Sequence, residues 1–417
     1  MSFARRARVL IDVDHPGLVW LLSVNHGFNE FFSIIIPPLF PFLVPELGIG
    51  YSEASLLVVV FFITYSVFQL PAGRLGDIYS PRLLLAAGQA GLSIGIALVA
   101  FAPTFALMLV GMVIAGIGGS TYHPIGMAVI SDVESESTHG RSMGIHGMIG
   151  VLGPVASPLI MTAVAVMAGW RMALLAGAGV GLLFAVVLFI TYPMAIPRAS
   201  SEEFELDFMA ALKQAFGGST LSDSAARAWQ FIRSPTMLGL IALYAVVGGE
   251  VRAIQTFTPV FASDIVGGDP AFGNTMLAVT MIAAGLAATG AGTLVDRMDR
   301  RVFAGICFSL TAIMVAVLVF VPMSRWMLPI AFVVTGVVLY SIYPATNAMA
   351  AGVSTPDQSS SLFAVIQTSA AIGGAGGPYI LGTLADLTSL RLGFLTTSGI
   401  AILGIAVILV ADETFAA

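Results

Sequence analysis

Glu30 stands in a long apolar run, and His26 lies four positions ahead of it. On a helix that spacing puts both side chains on one face. A carboxylate beside an imidazole in a low-dielectric setting can hold or release a proton within physiological pH. Ionisable groups inside a bilayer are costly and mark function by default. The proton-handling reading of Glu30 is therefore favoured over a plain helix-to-helix bond. Glu250 and Arg252 form a second polar group. Two residues apart on a helix is a turn of about 200°, so they should face different ways unless Gly248 and Gly249 loosen the geometry. Arg252 shares a stripe with Gln255, Thr256 and Pro259. It could hold an anion, pair with Glu30, or snorkel to the interface.

His123 precedes Pro124, which removes a backbone bond and kinks a helix where a cavity can open. His146 lies among Gly144, Gly147 and Gly150, a stretch expected to pack closely. A lone histidine in a membrane more often bonds a neighbouring helix than a ligand. His139 is expected in a loop. Gln69, Asn347 and Gln367 are accounted for by bonds between helices. Phe61, Phe62, Tyr65 and Phe68 either line a cavity or face lipid.

The elements that hold these residues follow from composition. Of 417 residues, 58% are apolar and 10% are charged, against about 25% charged in soluble domains. The mean hydropathy is +0.97. A soluble fold of this size could not hide so much apolar surface. A spanning helix needs ~20 mostly apolar residues. Twelve such segments are expected near 18–44, 53–72, 83–101, 105–131, 142–168, 172–192, 236–262, 271–294, 302–321, 326–352, 360–384 and 392–411. The long polar stretch 193–235 separates an N-terminal six-helix bundle, 1–192, from a C-terminal one, 236–417. The amino terminus, with Arg5, Arg6 and Arg8 ahead of Asp12 and Asp14, does not read as a cleaved signal.

With both termini cytoplasmic, thirteen basic residues fall on the inside: Arg5, Arg6, Arg8, Arg74, Arg82, Arg141, Arg198, Lys213, Arg227, Arg233, Arg297, Arg300 and Arg301. Only Arg171, Arg325 and Arg391 fall outside, and Arg252 falls within a span. That bias sets the orientation in a plasma (inner) membrane crossed many times. The halves also repeat. Glu30 and Glu250 are 220 residues apart, Gly73–Asp77 and Gly292–Asp296 are 219 apart, and Gly153–Pro154 and Gly377–Pro378 are 224 apart. Tyr122 with Pro124 matches Tyr343–Pro344 at a similar offset. A near-constant offset is the trace of two six-helix repeats about an axis along the membrane normal.

Over nearly its whole length the chain resembles the major facilitator superfamily, whose signature loop reads Gly-x-x-x-Asp-Arg-x-Gly-Arg-Arg/Lys. The first copy here runs from Gly73 through Asp77 to Arg82, with Ile78 and Ser80 departing from the pattern. The second, Gly292 through Asp296 and Arg297 to Arg301, has Asp299 where glycine is usual. The resemblance implies an all-α fold of twelve transmembrane helices and a gating latch at Gly73, Asp77, Arg82, Gly292, Asp296 and Arg297. The segments His26–Glu30 with Asn29, Tyr122–His123–Pro124 and Arg252–Pro259 resemble the fosmidomycin-resistance branch, which is linked to efflux of small drugs. Gly150–Pro154 is similar to the glycine-proline motif of the superfamily's antiporters, one residue short.

The resulting expectation is a proton-coupled carrier that exports a small organic solute. Glu30, His26 and Glu250 would handle the proton. Arg252, His123, Asn29, Gln255 and Tyr122 would contact the solute. Uptake of an organic anion, and a non-transporting sensor using 193–235 as a partner site, are the alternatives. No phosphate-binding loop, metal-ligand cluster or catalytic constellation is legible, so no enzyme, cofactor or metal is expected. The partners expected are solute, protons and lipid, without nucleic acid, and a monomer.

Overall fold

The structure is a computed structural model and describes residues 12–195, 209, 212, 234–353 and 359–410. The basic and acidic residues of 193–235 and the partner-site role given to that stretch fall almost wholly outside the described residues. In chain order the helices are α1 (Pro16–Ser33), a 3-10 turn (Pro37–Leu39), α2 (Phe40–Leu47), α3 (Tyr51–Ile78), α4 (Pro81–Phe101), α5 (Phe105–Gly119), α6 (Tyr122–Val133), α7 (Glu136–Ala168) and α8 (Trp170–Ala195). There follow α9 (Pro235–Ile265), α10 (Pro270–Val295), α11 (Arg300–Phe320), α12 (Leu328–Val353), α13 (Ser359–Leu387) and α14 (Leu390–Val410).

Helix starts are written locally. Ser80, Thr104, Ser234, Asp269 and Asp299 are N-caps whose side chains accept backbone N–H groups two or three residues on. Pro81, Pro235 and Pro270 sit at the first helical position, where a missing N–H costs nothing. Two of the three departures noted in the signature loops, Ser80 and Asp299, are thereby explained. Ser80 caps α4 and Asp299 caps α11, where a glycine could not supply the side-chain oxygen.

Ten helical spans among the described residues are long and apolar enough to cross a membrane, and a bent pair, α1 with the Pro37–Leu47 segment, makes eleven. The pair bends by 41° between Ser33 and the prolines 37 and 38. The twelfth expected position is α13, a 29-residue helix that is not among those spans. Its sequence is diluted by Ser359–Ser361 and by Gly373, Gly374, Gly376 and Gly377. Helices α5 and α6 make one span with a break at Ser120–Thr121, just ahead of Pro124. His139 lies in the first turn of α7, not in a loop.

The chain divides into two compact units. The first takes the described parts of Met1–Ile35, Thr64–Ser157 and Arg171–Gly217; the second takes Ile36–Ile63, Pro158–Trp170 and the described parts of Gly218–Ala417. In the first, α4 and α5 are packed through glycine. A Cβ on Gly95 would lie 2.4 Å from the Ala115 nitrogen, and one on Gly118 would lie 2.3 Å from the Leu92 nitrogen. The N-terminal end of α1 is held by a reciprocal clasp. Glu134 accepts the N–H groups of Asp14 and His15 at 3.1 and 2.8 Å and the Ser142 hydroxyl at 2.7 Å. Asp14 accepts the Ser135 N–H at 3.0 Å and the Thr138 hydroxyl at 2.8 Å. The neighbouring Ser135 hydroxyl, with these two bonds, brings the Asp14 carboxyl down to about 2. Burial opposes ionisation of Glu134, but the bonds from Ser142 and from the His15 and Asp14 backbone outweigh it and lower its titration.

In the second unit α9 lies against α13 with no room for side chains between them. A Cβ on Gly248 would meet the Ala370 carbonyl at 2.0 Å, and one on Gly373 would meet the Ala245 carbonyl at 1.8 Å. Gly248 and Gly249 therefore do not loosen α9, which runs unbroken; they let it touch its neighbour. The N-terminal end of α3 is capped from far along the chain. Asp386 accepts the N–H groups of Tyr51 and Ser52 at 2.7 and 2.9 Å and the Ser52 hydroxyl at 2.5 Å.

Candidate functional site

In the first unit, α1 places His26, Asn29 and Glu30, the α5–α6 break places Tyr122 and His123, and α7 places His146. His26 Nε2 lies 3.8 Å from Glu30 Oε1, and His123 Nε2 lies 3.2 Å from the same oxygen. Glu30 and His123 are partly exposed, with side-chain exposures of 26% and 31%. The sequence spacing anticipates the first contact. The second joins residues 93 apart and depends on the close approach of α1 and α6.

Hydrogen bonding fixes which nitrogen of each ring carries a proton. His26 Nδ1 is 3.1 Å from the His146 carbonyl, which can only accept, so Nδ1 is protonated. In the neutral ring Nε2 is then bare and faces the Glu30 carboxylate. Tyr122 donates its one hydroxyl proton to the Leu22 carbonyl at 2.6 Å, so His146 Nδ1, 3.2 Å away, donates to the phenol oxygen. The rings stack, His26 on His146 at 4.2 Å and His26 on Tyr122 at 5.4 Å. Gly150 makes room, since a Cβ there would lie 2.3 Å from the His26 ring. A Cβ on Gly144 or Gly147 meets nothing within 4 Å, so only one of the three glycines near His146 serves close packing. His146 is thus buried and bonds a neighbouring helix, as expected of a lone membrane histidine.

Asn29 bonds two neighbouring helices in the same locality. It accepts the Tyr65 hydroxyl at 2.8 Å and donates to the Gly119 carbonyl at 2.9 Å, pinning α3 and the end of α5 to α1. Among the described residues, one ligating atom each from His26, Glu30 and His123 lie within 4.8 Å of one another. A single cation would fit that spacing; a proton between His26 and Glu30 would serve two of the three atoms. No sequence motif could reveal the trio, because its third member comes from another helix.

The second unit holds Glu250, Arg252 and Gln255 on α9. Glu250 is 1% exposed and its Oε1 has no hydrogen bond. It faces Thr311 and Cys307 of α11. Arg252 turns the other way, as the helix angle requires. Its guanidinium lies 3.8 Å over the Phe62 ring and donates to Gln255 Oε1 at 2.8 Å. Gln255 is bonded to Tyr340 and lies 3.6 Å from the Met281 sulfur. Phe61, Phe62 and Tyr65 are buried. Asn347 accepts the Tyr244 hydroxyl at 2.8 Å, a bond between helices as expected.

The signature-loop residues behave unequally. Gly73 closes α3 onto Pro124, where a Cβ would sit at 3.3 Å, but a Cβ on Gly292 meets nothing within 4 Å. Arg82 donates to the Phe189 carbonyl at 2.8 Å and stacks on that ring. Asp77, Asp296 and Arg297 are exposed and enter no ion pair among the described residues.

A family model for the Major Facilitator Superfamily matches residues 22–273 and 241–416. The chain belongs to the major facilitator superfamily. It is similar to a probable L-galactonate transporter of Escherichia coli, 31% identical over 35% of this chain and 32% of that protein. A multidrug resistance protein B homolog of Mycobacterium tuberculosis is 31% identical over 42% of this chain and 33% of its own. The fosmidomycin resistance protein of Escherichia coli is 25% identical over 34% and 35%. The matches span about a third of these relatives' lengths. The fold is that of a bacterial homolog of the human lysosomal transporter Spinster, with a TM-score of 0.75 at 15% identity over 99% of this chain and 98% of that one. The protein is a multi-pass, all-helical membrane protein of this superfamily.

Proposed function

We propose that this member of the major facilitator superfamily exports a small organic solute in exchange for protons, with Glu30 as the coupling acid. The observation that carries the reading is the face-to-face placement of a bare imidazole nitrogen on His26 and a carboxylate oxygen on Glu30. Two acceptors in that position are satisfied by one added proton. His123, donating to the same oxygen, stabilises the carboxylate once the proton leaves. Protonation therefore changes which bonds α1 makes to α6, giving the proton a differential interaction with two conformations. Glu250 is the corresponding acid of the second repeat, and in this reading a second protonatable group. Asn29, Tyr122 and His146 hold the site in register. The two six-helix halves would move about it, with both termini cytoplasmic and the loops at Asp77 and Asp296 engaging in another state of the cycle.

The export direction is supported by the similarity to a fosmidomycin resistance protein and a multidrug resistance homolog. The test uses inside-out membrane vesicles energised by respiration, with an acridine dye reporting the pH gradient. Substrate should collapse the gradient in vesicles carrying the wild-type chain and leave it intact with Glu30→Gln. A Glu30→Gln protein that still dissipates the gradient on substrate addition would remove Glu30 from the coupling step.

A further inference from the structure

Arg252 carries a permanent charge inside the α9 span, and every contact of its head group is with a neutral partner. One Nη donates to the Gln255 amide oxygen, and the guanidinium plane rests on Phe62. It enters no ion pair among the described residues. The nearest acid in sequence, Glu250, points away toward Thr311 and Cys307. A guanidinium does not shed its proton, so neutralisation by deprotonation is closed to it. An uncompensated charge within a span is costly and marks function by default. Snorkelling does not relieve it. Arg252 is thirteen residues from the C-terminal end of α9, roughly 20 Å at 1.5 Å per residue, and its head is turned onto Phe62 of α3.

The head is also immobilised before anything binds. The Phe62 stack fixes its plane, and Gln255 fixes its edge. Gln255 is itself held by Tyr340 and Met281. Gly374 leaves space for the stem, since a Cβ there would come within 3.0 Å of Arg252 Cγ. Of five N–H donors one is used, and a planar fork of the remainder matches an oxyanion with two oxygens on one side. Gln255 brings the Tyr340 ring to this edge, and Tyr340 pairs with Tyr343 at a centroid distance of 5.5 Å, an aromatic surface that suits a flat apolar body attached to that oxyanion.

We infer that Arg252 binds the head group of an organic oxyanion, a carboxylate or phosphonate on a small apolar body, and that this is the solute class of the transporter. The inference rests on the carrier reading above but is tested by binding alone. The full-length protein in detergent is titrated calorimetrically with three matched series: aromatic carboxylates, the corresponding phosphonates, and the neutral carboxamides. At least one anionic series should bind, and the carboxamides should bind at least tenfold more weakly. Arg252→Gln should lose that anion affinity by tenfold or more, and Arg252→Lys should retain part of it, having charge without the fork. An unchanged thermal midpoint shows that each variant is folded; should Arg252→Gln unfold, Phe62→Leu is used, and a several-fold weakening for anions only is expected. Whichever anionic series binds identifies the head group. Equal affinity for carboxamides, unaltered anion binding by the variants, or no binding by either anionic series overturns the proposal. Anion binding at Arg252 without any solute movement in vesicles would sink the carrier reading and leave the site standing.

Discussion

At the scale of single residues, the chemistry of the first unit depends on tautomers set by neighbours. His26 is useful to Glu30 because the His146 carbonyl occupies its other nitrogen. A second residue-scale device lies outside the spans, in the clasp between Asp14 and Glu134. Both carboxyls titrate below their ordinary values, Asp14 at about 2 against 3.8. A lowered folded-state value means that the clasp contributes its stability above the ordinary carboxylate range and loses it as pH falls toward about 2. We expect the protection of the amides at the start of α1, taken as exchange relative to the intrinsic rate at each pH, to be high at pH 7 and to fall steadily below about pH 4. The double variant Asp14→Asn, Glu134→Gln should show the low protection already at pH 7. Slow exchange in that variant would mean that apolar packing, not the clasp, holds the segment.

At the scale of elements, contact between helices is controlled by glycine. The α9–α13 pair is the clearest case, because a Cβ on Gly373 would collide with backbone, which cannot swing aside as a side chain can. Gly373→Ala should therefore destabilise by about 1–3 kcal/mol, the usual cost of overpacking. The measurement is the thermal unfolding midpoint in detergent, with Gly376→Ala as the control, since a Cβ there meets nothing within 4 Å. Equal midpoints for the two variants would show that α9 and α13 separate more easily than this packing implies. The helices themselves were legible in sequence through their apolar lengths. Which glycines touch a neighbour was not, as Gly73 against Gly292 shows: identical in motif, they meet a proline in one case and open space in the other.

At the scale of the whole molecule, the Asp386 cap joins segments 335 residues apart. It satisfies two orphan donors at the N-terminal end of α3 and opposes the helix dipole there. Asp386→Ala should cost about 1 kcal/mol, the typical worth of a cap, lowering the thermal midpoint by a few degrees. Asp386→Asn, which keeps an acceptor, should recover most of that loss. If the alanine variant melts with the wild type, the cap is a surface contact of no consequence. No local pattern forecasts this bond, because the partners meet only after the second unit has closed.

The sequence by itself determined the membrane class, the superfamily and the identity of the polar residues set within apolar runs. Those follow from solvent chemistry: apolar length, basic-residue bias and costly intramembrane charges are properties of the chain before it folds. Only the tertiary structure decided which of those residues meet. His26 and Glu30 share a helix face and were predictable. His123 joins them, and His146 orients them, because α6 and α7 pack against α1 on small residues. Glu250 and Arg252 are neighbours in sequence, yet the turn of α9 sends one into a buried apolar setting beside Thr311 and Cys307 and the other onto Phe62. Helical rotation and helix packing are distances in space, and spacing along the chain does not contain them.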